Sequence, residues 1–165
     1  MTFADLAHGA AVFLDANIFV YHFEPHQQFG PPCTDLLKRI ELGEFTGYTS
    51  THVVSEVAHR LMTIEAATVF HWLSKVVKHL KQDAAKIQQL TTFHAAIQKI
   101  PQMGVKVLTI PADLVDTAAG ISRQVGLFSN DALIVAVTRA NGLTNIATED
   151  ADFDRVPGIT RYAPV

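Results

Sequence analysis

Ala11, Val12, Phe13 and Leu14 form a run without one polar side chain, and the chain turns acidic immediately after it, at Asp15. A strand of that kind is apolar on both faces, so it belongs inside a sheet covered by helices on each side. An antiparallel sheet with one wet face shows alternation instead. This short run therefore narrows the fold more than any other feature of the chain.

The rest of the chain repeats short strand-like runs between helical periodicities. Asn17 to Phe23 reads as a helix. Gly30 to Cys33 opens a second one with prolines at its start, carries Leu36, Leu37 and Ile40 at helical spacing, and stops near Gly43. Phe45 to Tyr48 is a short strand. Thr49 to His52 then offers hydroxyl caps to a helix with Val53, Val54, Val57, Leu61 and Met62 on its apolar side. Ala66 to Leu80 and Asp83 to Ile100 are both helically periodic, which predicts two antiparallel helices, a hairpin over about 64–101 closed by Pro101 and Gly104. Val105 to Ile110 is a strand, and Pro111 to Gly126 frames a helix. A further helix runs from a Ser129 or Asn130 cap to Gly142. Thr144 to Thr148 is a strand, and Gly158 to Tyr162 a short last one. Strands alternating with helices predict an α/β fold: a central, mostly parallel β-sheet flanked by helices, with an extended helical hairpin.

With 165 residues, 48% of them hydrophobic, and no repeat or linker, the expectation is a single domain over residues 1–165. No apolar run is long enough to span a bilayer, and Met1 to Ala10 lacks the basic start of a secretory signal. A lone cysteine, Cys33, excludes an internal disulfide and any multi-cysteine zinc site. A reducing, cytoplasmic location fits that usage. The net charge of −3 argues against a simple nucleic-acid coat protein. It leaves room for nucleic-acid chemistry carried by metal-bound carboxylates.

Four acids stand at element junctions. Asp15 follows the first strand, Glu56 lies early in the capped helix, Asp131 starts the helix SNDALIVA, and Asp150 follows the strand NIAT. In a parallel sheet such junctions gather on one edge, where ligands bind. Carboxylates brought together there repel unless a cation holds them, and hard oxygen donors suit Mg²⁺ or Mn²⁺. The matching chemistry is attack of metal-activated water on a phosphodiester. Taken singly, an Asp at a helix start is more often a cap than a ligand, so the constellation carries the reading.

VFLDANIFVY resembles the opening motif of PIN domains, hydrophobic residues followed by Asp-x-Asn. TSTHVVSEV resembles the second motif, NDALIVAVTRANG the third and IATEDADF the fourth, in the family's order from Val12 to Phe153. The size resembles the VapC-type toxins of toxin–antitoxin pairs. The resemblance implies a metal-dependent endoribonuclease with Asp15, Glu56, Asp131 and Asp150 as catalytic and metal-binding acids. It implies Asn17 and Ser50 as polar supports, and Thr148 as the residue orienting the fourth acid. Asp152, close by, is a candidate to share that fourth role. The implied partners are RNA, a cognate antitoxin seated in an apolar groove near the hairpin, and a second copy of the chain in a homodimer. The hairpin is longer than a minimal toxin of this type requires. The alternative is a catalytically weak or inactive PIN-fold protein that acts as an RNA- or protein-binding module.

His52, Glu56 and His59 share a helical face, but they do not form HExxH. Asp150 to Asp154 imitates half of a calcium loop, which then fails at Arg155 and Arg161. LDANI resembles the nucleophile motif of haloacid-dehalogenase-like phosphatases, with Asn17 in place of its second Asp. Arg60 and Arg139, on the helices that carry Glu56 and Asp131, are the weak candidates for RNA phosphate contact. Lys75, Lys78, Lys81 and Lys86 read as a solvated helix face at least as readily.

Overall fold

The computed structural model describes every residue except Pro25. Its centre is a five-stranded, all-parallel sheet. The strands are β1 (Ala11–Leu14), β2 (Thr46–Ser50), β3 (Lys106–Leu108), β4 (Asn145–Ala147) and β5 (Thr160–Tyr162), in the order β3-β2-β1-β4-β5. β1 is central, as its apolar faces require: Val12, Phe13 and Leu14 are fully buried. Its register sets Phe13 opposite Tyr48 on one side and Ile146 on the other.

The chain leaves β1 toward β2 and β3, then returns to the other side of β1 for β4 and β5. The order of strands thus reverses between β1 and β4. In open α/β sheets the crevice beyond the carboxyl ends of such a pair is where ligands bind. Asp15 and Thr148 occupy that place, one residue past β1 and β4.

The first crossover holds α1 (Ala16–Phe23) and α2 (Gly30–Glu41). Pro31 and Pro32 sit in the first turn of α2, and Cys33, Leu36, Leu37 and Ile40 turn inward. α2 lies so close to β2 that a Cβ on Gly47 would stand 2.9 Å from two carbons of Ile40. Glycine is required there by close approach, since its backbone is ordinary strand.

The second crossover departs from the expected hairpin. α3 (Thr51–Val69) runs well past Ala66, and the remainder is three short helices: α4 (Val76–Gln82), α5 (Ala84–Ile87) and α6 (Thr92–Lys99). His71 and Lys75 adopt left-handed backbone angles between α3 and α4, which breaks the run expected over Ala66 to Leu80. The apolar periodicity serves two separate cores. Ala96 and Ile100 join the main core, while Ala66, Leu80 and Leu90 form a second cluster with Met62, Phe70, Trp72 and Ile87. One straight helix cannot feed both, and polar residues cap the breaks. Asp83 accepts from Ala85 N at 3.2 Å. The Glu65 carboxylate accepts from the backbone N–H groups of Thr91, Thr92 and Phe93 at 2.8–3.0 Å, tying the start of α6 to α3.

The third crossover holds α7 (Ala112–Val125), ended by Gly126 with φ +77°, and α8 (Ser129–Ala140), packed on it. α8 begins one residue earlier than a Ser129 cap implies. Phe128 occupies the cap position and is 82% exposed. β3 and β5 are shorter than expected, three residues each. Among the described residues, no helix is long and apolar enough to cross a membrane.

Candidate active site

Asp15 is the N-cap of α1, and its burial follows from its place beside the central strand. Its Oδ1 accepts from Ala16 N at 2.6 Å. Its Oδ2 accepts from Asn17 Nδ2 at 2.8 Å and from Thr148 Oγ1 at 2.7 Å. Asn17 Nδ2 also donates to Thr148 Oγ1 at 2.9 Å, and Asp150 N donates to the same hydroxyl at 3.0 Å. Asn17, Asp15 and Thr148 therefore form one buried network joining β1 to β4 and reaching the backbone of Asp150. Asn17 and Thr148 thus both bond to the Asp15 carboxylate, and Thr148 also to the backbone of Asp150.

Ser50 acts at greater distance. Its Oγ accepts from Val53 N at 3.3 Å, capping α3 and so setting the position of Glu56 six residues on. Glu56 is partly buried, with Arg60 at 3.9 Å. The burial of its valine neighbours, Val53 and Val57, holds this face of α3 against the core.

The remaining acids lie outward of Asp15. Asp131 stands in the first turn of α8. Asp150 caps a 3-10 turn, Ala151–Arg155, by accepting from Asp152 N at 2.8 Å. That turn sets Asp152 beside Asp150. One carboxylate oxygen from each of Asp131, Asp150 and Asp152 falls within 4.8 Å of the others. Asp152 thus stands with Asp150 among the acids, where the sequence left its share in the fourth role open. Asp154 does not join, because Arg161 holds both its oxygens at 2.8 and 2.9 Å.

Electrostatics bind these acids into one group. Burial pushes the Asp15 carboxyl up to about 6, the hydrogen bonds from Thr148 and Ala16 oppose that, and the charges of Glu56 and Asp131 add to it. Asp131 is also raised, by burial and then by Asp150, Asp152 and Glu56, with Arg155 opposing. Arg155 is bonded to Asp152, through its carboxylate and through its carbonyl oxygen at 3.1 Å.

One expected residue, Arg139, is not part of this arrangement. Arg139 lies eight residues after Asp131, about 12 Å along α8, and donates to Pro157 O at 2.8 Å, so it secures the far end of the helix. The trio of His52, Glu56 and His59 does not converge. Among the described residues, only the three aspartates bring three ligating atoms together. Cys33 is buried, and burial pushes its thiol up to about 12, far from nucleophilic.

The donor set is all oxygen and anionic, converges from two elements, and carries mutual repulsion that a cation would relieve. That fits a hard divalent ion such as Mg²⁺ or Mn²⁺ rather than a soft or imidazole-seeking metal.

The sequence matches the PIN domain family over residues 12–159. The chain belongs to the PIN-domain family. The PIN assignment covers all the acids described, from Asp15 to Asp152. No curated protein matches the chain. Among solved structures, the PIN fold recurs in VapBC2 of Rickettsia felis bound to a DNA fragment from its promoter. That chain has a TM-score of 0.56 and 18% identity, with 93% of this chain and 98% of that one covered. A toxin–antitoxin complex from Klebsiella pneumoniae has a TM-score of 0.54 and 17% identity, covering 90% and 95%. VapC20 of Mycobacterium tuberculosis, a sarcin-ricin-loop-cleaving toxin, has a TM-score of 0.57 and 20% identity, covering 88% and 95%. At such identities the likeness is one of fold.

Proposed function

We propose that this PIN-family chain is a divalent-metal-dependent endoribonuclease and the toxin of a VapBC-like toxin–antitoxin pair. The observation that carries the reading is the convergence of Asp131, Asp150 and Asp152 in front of the buried Asp15 network, at the crevice where the strand order reverses.

In this reading Asp131, Asp150 and Asp152 hold Mg²⁺ or Mn²⁺. When bound, the metal lowers the pKa of a coordinated water and offsets charge on the phosphodiester. Asp15 supplies the negative charge behind the site, held in one orientation by Thr148, Asn17 and Ala16. Glu56 faces the same space from α3 and orients metal or water. Arg60, one turn beyond it, offers a cation to an RNA phosphate.

The antitoxin would seat an apolar side chain in a groove of about 140 Å³ between α3 and α4–α5, lined by His59, Met62, Val77, Leu80 and Ile87. A homodimer and a cytoplasmic location complete the reading. Expression of the chain alone should arrest growth of a bacterial host, and Asp131→Asn should abolish the arrest at equal protein level. Equal arrest by both would contradict the proposal.

A further inference from the structure

An open cleft of about 410 Å³ lies between α1, α2 and the turn that joins them, lined by Tyr21, His22, His26, Gln27, Pro31 and Thr34. Its size lies within the range of about 300–1,000 Å³ typical of small-ligand sites. One wall is aromatic. The exposed His26 ring stacks on Phe29 at 4.8 Å with 10° between the planes, and Tyr21 tilts against the two rings at 5.1 and 5.3 Å. The other side is polar, with His22 Nδ1 3.0 Å from Thr34 Oγ1 and the Gln27 amide nearby.

This cleft adjoins the acidic site. The Tyr21 hydroxyl donates to Glu149 Oε2 at 2.8 Å, and Glu149 N donates to Asn17 Oδ1 at 3.4 Å. Tyr21 follows Asn17 by one turn of α1, and the Arg60 charge reaches its phenol. Carboxylates, a guanidinium and an aromatic platform therefore follow one another across the surface. A flat π-face with donors and acceptors at its edge, beside a cation, is the chemistry that holds an unpaired base of single-stranded RNA. An apolar peptide segment finds a better match in the groove between α3 and α4–α5, whose lining is dominated by aliphatic side chains.

We propose that the α1–α2 cleft takes an unpaired nucleobase of the RNA substrate close to the scissile phosphodiester, its face on His26 and its edge on Gln27 and the His22–Thr34 pair. The inference rests on the ribonuclease reading and adds to it a place where base identity is read.

The test is a titration of a short single-stranded oligoribonucleotide carrying 2-aminopurine, in EDTA so that cleavage does not intervene. The native protein should quench the probe. His26→Ala should weaken binding about tenfold, the order expected for one stacked base. His26→Phe, which keeps an aromatic face, should restore it. Unchanged far-UV circular dichroism of His26→Ala establishes that the variant is folded. Equal affinity of His26→Ala and the native protein overturns the proposal. A native protein that cleaves RNA while His26→Ala binds it normally removes the cleft and leaves the nuclease. A native protein that binds through His26 yet never cleaves with Mn²⁺ removes the nuclease and keeps the cleft.

Discussion

Thr148 donates its hydroxyl to the Asp15 carboxylate at 2.7 Å, joining residues 133 positions apart across the crevice between β1 and β4. The same oxygen accepts from Asn17 and from Asp150 N, so one buried hydroxyl orients two acids. Thr148→Val keeps the shape and removes all three bonds. It should cost about 1–3 kcal/mol, because Asp15 and Asn17 stay buried with unmade hydrogen bonds. Urea unfolding at neutral pH measures this. A change within about 0.5 kcal/mol, the usual size for an inert surface substitution, would contradict the network.

Asp131 is raised by burial and by three neighbouring acids, so without metal the folded state carries their repulsion. Asp131→Asn should therefore stabilise the metal-free protein, by no more than about 1 kcal/mol, since the side chain is partly exposed and solvent screens it. That corresponds to a rise in Tm of about 2–4 °C for a chain of this size. Mn²⁺ should raise the Tm of the native protein and leave the variant nearly unmoved. A variant less stable than the native protein in EDTA would show that Asp131 is a structural cap.

Glu65 provides a pH-dependent clasp between α3 and α6. Burial alone raises its carboxyl, and the N–H groups of Thr92, Phe93 and Thr91 outweigh that and hold it below its ordinary value. The sign follows from linkage: the stabilisation is complete above the ordinary glutamate value of about 4.5 and is lost as pH falls through the lower folded value. Glu65→Gln should cost about 1–2 kcal/mol at neutral pH, as for loss of a strong N-cap. Its deficit should vanish in acid. A deficit independent of pH would indicate lost packing instead.

Gly47 faces Ile40 where α2 meets β2. Gly47→Ala sets a methyl 2.9 Å from two Ile40 carbons and should cost about 1–3 kcal/mol. Ile40→Val made together with it should recover part of that cost, a coupling visible in a double-mutant cycle. Simple additivity would mean that β2 moves away without strain.

Legibility in the sequence tracked how local the signal was. β1 was readable to the residue, because a run apolar on both faces has few other fates. The acids at element junctions were readable too, since a parallel sheet places those junctions on one edge. The region between Ala66 and Ile100 misled because helical periodicity does not say which core a residue joins. Leu80 and Ile100 serve different clusters, and left-handed angles at His71 and Lys75 have no strong signature in those residue types. Asp152 was only half visible. Its part depends on a 3-10 turn capped by Asp150, and alternating acids in a loop do not announce such a turn. Arg139 was placed by the helix it shares with Asp131, and the length of that helix carries it away from the site. The α1–α2 cleft rests on aromatic contacts between residues that in sequence are indistinguishable from packing.

RNA cleavage by the purified, partner-free protein, with Mn²⁺ and a mixed RNA pool, tests the central claim most directly. Parallel reactions contain EDTA or Asp131→Asn. Cleavage with Mn²⁺ that disappears in both controls is the expected result. Folded protein that binds no Mn²⁺ and leaves every RNA intact would contradict the metal–carboxylate nuclease and favour a binding module built on the same fold.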